Sequence, residues 1–189
     1  MKWCTMIKVD SFVKQYTSTR VEIPRCIFDA KVTLLLGENG SGKTTLLKAM
    51  AHLIKYEGVI KREKQVIYAP EKFVYPEHMR VKSYLQMILK LGEGTRVRLD
   101  WLIRHFDMEV HQDKCFKELS KGMKQKVNLI QTLMEPRGVY CLDEPLNGLD
   151  TQSKEQFMAL VKSCEQQFIC ATHDAEAFKG VTVKKVVLW

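Results

Sequence analysis

The chain has 189 residues, 46% of them hydrophobic and 28% charged, with a formal net charge of +8. This composition suits one domain with an apolar core and excludes an intrinsically disordered chain. No apolar run approaches the roughly 20 residues of a membrane-spanning helix, and the first residues lack the apolar segment of a secretory signal. We therefore expect a cytosolic protein, and any role at a membrane would require another chain to supply the spanning helices.

The basic charge and the cysteines are both weak indicators of function. A positive balance is compatible with nucleic acid, an anionic membrane surface or nucleotide attraction, but the basic residues are scattered and indicate a solvated basic surface. The six cysteines form no C-x-x-C pair and no metal-binding spacing, which favours a reducing compartment. Cys141 and Cys170 lie in apolar runs and are interpreted as small buried side chains.

The first third of the chain is predicted to be mainly strands. Residues 4–9 and 19–28 contain β-branched residues in loose alternation and predict strands on either side of a turn that contains Tyr16. Val32–Leu36 is continuously apolar, as expected of a parallel strand buried on both faces. A helix over 45–50 follows, and its apolar stripe is predicted to extend to Leu53. Short strands are predicted at 59–60 and Val66–Ala69.

Residues 75–116 differ from the rest of the chain in the spacing of their apolar residues. Two segments with helical spacing are separated by Gly92 and Gly94, and no strand pattern appears between 75 and 116. Beyond them we predict helices at 121–134 and 151–164 and strands at 138–142, Gln167–Ala171 and 181–188, the last at an edge. We therefore predict an α/β fold over 1–189, with a mainly parallel sheet in a core of 1–74 and 117–189 and an inserted helical lobe at about 75–116.

A glycine-rich loop follows the buried strand Val32–Leu36. The run Gly37-Glu38-Asn39-Gly40-Ser41-Gly42-Lys43-Thr44 stands between a strand and a helix, which is the context of a phosphate-binding loop. Its glycines free backbone N–H groups to converge on phosphate oxygens at a helix N-terminus. Lys43 would reach the β- and γ-phosphates and Thr44 would ligate Mg²⁺. The predicted nucleotide-binding residues here are Gly37, Asn39, Gly40, Ser41, Gly42, Lys43, Thr44 and Thr45.

Two carboxylates end the apolar run 139–142. Parallel sheets bind ligands at the carboxyl ends of their strands. Asp143 is therefore expected to hold Mg²⁺, and Glu144 to orient or deprotonate an attacking water. Asp-Glu after a strand can also be a helix cap or a solvated turn, but the phosphate loop earlier in the chain favours the functional interpretation.

Ser120 and Gly122 precede the strand of Asp143 by about twenty residues. Ser120 is a predicted helix N-cap, and Gly122 permits close backbone approach. The hydroxyl and the free N–H groups at this helix start would form a second anion site.

Together these motifs resemble the ATPase subunit of an ATP-binding cassette (ABC) transporter, over nearly the whole chain. The run 119–125 resembles the family's signature, 146–150 its D-loop and 171–174 its switch-histidine segment. The resemblance implies a P-loop NTPase core with a reduced antiparallel β portion, a compact bacterial type and a head-to-tail dimer. ATP on one subunit's phosphate loop would be capped by Ser120 and Gly122 of the other.

The resemblance also implies roles for individual residues. His173 would contact the γ-phosphate end and act in catalysis with Glu144 and Lys43, and Asp150 would link the two sites of the dimer. Tyr16 lies where the family stacks an aromatic ring on adenine. A surface or packing tyrosine is the alternative interpretation, and Phe12 would then be the stacking ring.

The sequence departs from the family pattern at several positions. Glu71 stands where the family usually has a glutamine; we hypothesise that it ligates Mg²⁺, although its charge would repel the γ-phosphate unless the cation lies between them. Lys121 and Met123 replace the usual glycine and glutamine of the signature.

The resemblance implies an ATP- and Mg²⁺-dependent subunit that powers a transmembrane permease from the inner face of the cell membrane, paired with a second ATPase subunit, identical or not. We expect this subunit neither to insert into lipid directly nor to bind nucleic acid. The signature variant favours an exporter of drug, peptide or antibiotic type. The alternative is a soluble ABC ATPase acting on nucleic acid, ribosomes or a cytosolic assembly.

Overall fold

Two β-sheets, five α-helices and three short 3₁₀ helices make up the regular structure of residues 6–189, which the computed structural model describes. The strands are β1 (Ile7–Gln15), β2 (Arg20–Ile23), β3 (Cys26–Phe28), β4 (Val32–Leu36), β5 (Glu57–Arg62), β6 (Val66–Ala69), β7 (Val139–Asp143), β8 (Gln167–Ala171) and β9 (Lys184–Val187). The helices are α1 (Lys43–Met50), α2 (Val81–Leu91), α3 (Arg96–His105), α4 (Lys121–Leu133) and α5 (Thr151–Ser163). No helix in this described part is long and apolar enough to cross a membrane.

The chain divides into two units. The first contains the described residues up to Pro70 together with Arg137–Glu144 and Cys164–Trp189, and the second contains Glu71–Pro136 and Pro145–Ser163. The predicted helical lobe at 75–116 falls within the second unit, which also includes α4 and α5.

The first unit is built on a five-stranded parallel sheet with the order β6-β7-β8-β4-β9. β7 and β8 are buried along their whole length, as their largely apolar sequences predict. Cys141 and Cys170 are buried in these two strands, and this burial raises the pKa of both thiols, which stay neutral. The mainly parallel sheet predicted from the sequence is therefore confirmed, with β9 at an edge.

The second sheet of this unit is antiparallel and small. β1 pairs with β2, β3 and β5, and the register of the β1–β5 pair shifts between Val9 and Ser11. The predicted strand at 4–9 is wrong in extent, because β1 continues to Gln15; Cys4 and Thr5 lie outside the described residues. The predicted strand at 19–28 is divided near Pro24, which has no N–H to donate to a ladder.

The core of the first unit is apolar, with a polar exception on β4. The side chains that α1 buries include Leu46, Leu47 and Met50, whereas Leu53 lies beyond the helix end and is exposed, contrary to the predicted stripe. Thr33 is fully buried, and its hydroxyl has no hydrogen-bond partner among the described residues.

We expect Thr33→Val to raise the free energy of unfolding by about 1 kcal/mol, because it removes an unsatisfied buried hydroxyl while preserving shape. Chemical unfolding of the variant measures the change. Thr182→Val is the matched control, since Thr182 is exposed and the same replacement there should have little effect. A loss of stability in Thr33→Val would mean that a water satisfies the hydroxyl.

The second unit is mainly helical and has its own core. Its aromatic centre is a stack of Tyr75 on Phe116, with ring centroids 4.3 Å apart and planes 7° apart. Tyr84 of α2 meets both rings edge-on. Burial raises the pKa of Tyr84 to about 12, so the hydroxyl remains protonated, and it donates to Gln131 of α4.

Candidate nucleotide-binding site

The glycine-rich loop joins β4 to α1 at the carboxyl edge of the parallel sheet. Gly42 caps α1 in the left-handed region at φ 94°, and a Cβ there would lie 2.5 Å from Val21 Cγ1. The Lys43 side chain is buried, and its Nζ donates to the carbonyls of Gly37 at 2.7 Å and Glu38 at 2.8 Å. The Ser41 hydroxyl is buried without a partner among the described residues. The loop thus offers a cation and an unused hydroxyl at a helix start.

Tyr16 lies beside this loop. It follows β1 at the hairpin turn, and its hydroxyl is 3.3 Å from Thr45 Oγ1 in the first turn of α1. Its ring is partly exposed, as a ring that stacks on a base must be. Phe12, the alternative, is buried in the core with its ring 5.2 Å from that of Tyr56, so it is not available for stacking.

Thr44 and Asp143 meet at the end of β7. Thr44 Oγ1 donates to Asp143 Oδ2 at 2.6 Å, and the Tyr68 hydroxyl of β6 donates to the same oxygen at 3.3 Å. Asp143 is buried, with a relative exposure of only 5%. Hydroxyl and carboxylate oxygens are hard ligands, and the residues present therefore suit Mg²⁺.

Glu144 and His173 are in direct contact. Asp143 pairs with Ala171 in the β7–β8 ladder, so the residues that follow each strand emerge side by side. His173 Nδ1 lies 2.9 Å from Glu144 Oε1, and Thr172 Oγ1 donates to Glu144 Oε2 at 3.3 Å. Glu144 has φ 47°, a left-handed conformation that is uncommon for a residue with a side chain.

The contact with Glu144 changes the protonation of His173. The hydrogen bond to this carboxylate, together with its negative charge, raises the pKa of the imidazole above its ordinary value. The charge of Asp174 also raises this pKa, whereas partial burial of the imidazole and the positive charge of Lys43 lower it. The pair therefore joins a carboxylate to an imidazole whose protonated form is favoured by that carboxylate.

Ser120 and Gly122 lie in the second unit, at the start of α4. Ser120 is the N-cap predicted from the sequence, and its Oγ accepts from the Met123 N–H at 3.2 Å. A Cβ on Gly122 would lie 2.5 Å from the carbonyl oxygen of Gly148. The Lys121 side chain lies against Gly148, because a Cβ on Gly148 would be 3.2 Å from Lys121 Cγ. The signature residues are thus packed against the segment 146–150.

Two further predicted residues of the second unit have protein partners. Asp150 Oδ1 accepts from the N–H and the hydroxyl of Ser153, and these bonds lower the pKa of the Asp150 carboxyl. Glu71 Oε1 accepts from Asn147 Nδ2 at 3.3 Å. The Mg²⁺ role of Glu71 and the inter-site role of Asp150 stay predictions.

Sequence reasoning missed three residues that contact the predicted motifs. Tyr68 and Thr172 contact the two carboxylates, and the buried amide of Gln125 donates to the Pro145 carbonyl at 2.9 Å. The only sequence signal was position: Tyr68 is the next-to-last residue of its strand, Thr172 adjoins His173 and Gln125 falls in the signature run.

Comparisons with known proteins agree with this geometry. The family model described as ABC transporter matches residues 23–147, which is more than half of the chain. An ABC transporter ATP-binding protein of Caldanaerobacter subterraneus subsp. tengcongensis is 32% identical over 85% of the chain and 78% of its own length. The zinc import ATP-binding protein ZnuC of Acinetobacter baylyi is 30% identical over 84% of the chain and 63% of its own length, so the chain spans less than two thirds of that relative.

A solved structure shows the same fold. The ATP-binding subunit of an ABC transporter aligns with a TM-score of 0.84 over 97% of the chain and 85% of its own length, at 23% identity. The fold, the phosphate loop and the family match all lead to one assignment. The chain belongs to the family of ABC transporter ATP-binding domains, enzymes that bind and hydrolyse ATP.

Proposed function

We propose that ATP binds at Gly37–Thr45 with its base on Tyr16, and that Glu144 directs a water at the γ-phosphate. The observation that supports this most strongly is the convergence of Lys43, the Thr44–Asp143 pair and the Glu144–His173 pair in one unit. Thr44 and Asp143 would hold Mg²⁺, which would offset the phosphate charge.

The proposed active form is a head-to-tail pair of ATPase subunits. Ser120 caps α4, a helix of 13 residues whose N-terminus carries partial positive charge. A second subunit would place this helix start against the γ-phosphate held by the first. A single copy would then bind ATP but hydrolyse it slowly.

We propose that the second unit binds a transmembrane permease. A cavity of about 330 Å³ lies in this unit; its lining includes Glu71, Lys72, Phe73 and Lys124. Val74, next to Phe73, is 91% exposed, and Met87 and Leu91 of α2 are exposed as well. Exposed apolar side chains beside lysines fit a partner segment that carries apolar and acidic residues. The ATPase would then lie at the inner face of the membrane.

Val74→Glu should abolish this association while preserving the fold, because the side chain is already in water. The measurement is co-purification of a polytopic membrane protein from native membranes, together with ATPase activity in the presence of that protein. Val110→Glu is the matched control, since Val110 is 82% exposed in the same unit but lies outside the segment 71–75, whose residues on both sides of Val74 line the cavity. Equal recovery of the partner with both variants would contradict the proposed surface.

The direction of transport is also a proposal. The signature variant at 119–125 favours an exporter, whereas the Acinetobacter relative is named for zinc import. Transport assays with the recovered permease decide between them. The net charge of +8 is compatible with the alternative function, a soluble ABC ATPase. It would be supported by ATPase activity that nucleic acid stimulates and salt weakens steeply.

A further inference from the structure

Glu144 is held through its backbone and its side chain by three consecutive residues at the end of β8, Ala171, Thr172 and His173. Its N–H donates to the Ala171 carbonyl at 2.9 Å, Thr172 Oγ1 donates to Oε2, and His173 Nδ1 lies against Oε1. Each carboxylate oxygen therefore has its own partner. Glu144 has a left-handed backbone conformation, and these surrounding contacts hold it there.

The direction of the Thr172 hydrogen bond follows from its second contact. Thr172 Oγ1 accepts from the Asp174 N–H at 3.1 Å, so the hydroxyl proton is free for Glu144. The Thr172 N–H donates to the Leu35 carbonyl of β4 at 3.2 Å, which fixes its backbone to the sheet. Thr172 is 2% exposed. This hydroxyl is thus a buried donor with little freedom to turn elsewhere.

The two partners of the carboxylate differ in mobility. The His173 side chain is 65% exposed, against 14% for Glu144, so the imidazole can swing into solvent. The family resemblance implies that His173 contacts the γ-phosphate end of the nucleotide, and such a contact would take the imidazole away from Glu144. The Thr172 hydroxyl would then be the contact that remains.

We propose that Thr172 is a positioning residue for Glu144, and that its hydroxyl keeps the carboxylate in place when His173 turns to the nucleotide. The inference rests on the proposed function, because it assigns the attacking water to Glu144. Thr172 itself touches neither substrate nor metal in this proposal. It acts only through the carboxylate.

Steady-state ATP hydrolysis by Thr172→Val and Thr172→Ser tests the proposal. Loss of a hydrogen bond to a charged group should lower kcat at least about tenfold in Thr172→Val, with KM for ATP nearly unchanged. Thr172→Ser retains the hydroxyl and should recover most of the activity. Thr33→Val, the same change at a buried threonine of the same unit, should behave as wild type. Thermal unfolding shows whether Thr172→Val is folded. If it is not, Thr172→Ala removes the same hydroxyl, and we expect the same loss of kcat.

Combination with Glu144→Gln separates this proposal from the proposed function. When Glu144→Gln is already present, Thr172→Val should reduce the single-turnover rate little further. An unaffected kcat in Thr172→Val beside an inactive Glu144→Gln would overturn the positioning role alone. A fully active Glu144→Gln would overturn the function on which it rests. Equal losses in Thr172→Val and Thr172→Ser would also overturn the positioning role, since the hydroxyl would not be the cause.

Discussion

Glu144→Gln should bind ATP with nearly wild-type affinity and lose at least about 99% of its hydrolysis. A positioned general base contributes a factor of roughly 100 to 10,000 to a rate, and an amide cannot accept the proton of the attacking water. The amide has the same shape as the carboxylate, so the contacts with Thr172 and His173 can be largely retained. ATP should therefore remain bound and trap the head-to-tail dimer.

Three measurements distinguish this result from simple damage to the protein. ATP affinity comes from fluorescence of a labelled nucleotide, turnover from phosphate release, and dimerisation from light scattering with and without ATP. Glu63→Gln is the control, because Glu63 is an exposed carboxylate of the same unit in the turn between β5 and β6. Wild-type turnover by Glu144→Gln would reject Glu144 as the catalytic carboxylate.

The sequence predicts best those features of the structure that are determined by residues adjacent in the chain. The phosphate loop, the Ser120 cap and the buried runs of β4, β7 and β8 follow from neighbouring residues, and the structure contains them at the expected places. The link between Thr44 and Asp143 spans 99 positions, yet it was predictable, because both motifs end parallel strands at one edge of a sheet.

Features that depend on register were not predictable. Ile7 and Val9 face the core, and a strict alternation would next bury Ser11 and Val13; the shift between Val9 and Ser11 buries Phe12 instead. That irregularity removes Phe12 as a candidate for adenine stacking. The contacts of Tyr68 and Thr172 likewise depend on which strands lie on either side of β7. The residue pattern of a single strand does not predict this order.

Lys43→Ala should weaken ATP binding roughly tenfold to a hundredfold, because it removes a charge-assisted contact with the phosphates. The structure adds a second reason for a large effect. Lys43 Nζ donates to the carbonyls of Gly37 and Glu38, so the same ammonium group also braces the loop before nucleotide arrives. Without it these carbonyls lose a donor, and the loop that should present N–H groups to phosphate becomes less ordered.

The matched control for Lys43→Ala is Lys48→Ala, in the last turn of the same helix α1, where the lysine has no part in the phosphate loop. Titration with labelled ATP should show the loss only in Lys43→Ala, and circular dichroism should show both variants folded. Since Lys43 acts on ligand and loop together, Lys43→Arg should recover the charge but not the binding, because the larger guanidinium cannot occupy the same buried position between two carbonyls. Unchanged ATP affinity in Lys43→Ala would mean that the phosphates bind elsewhere.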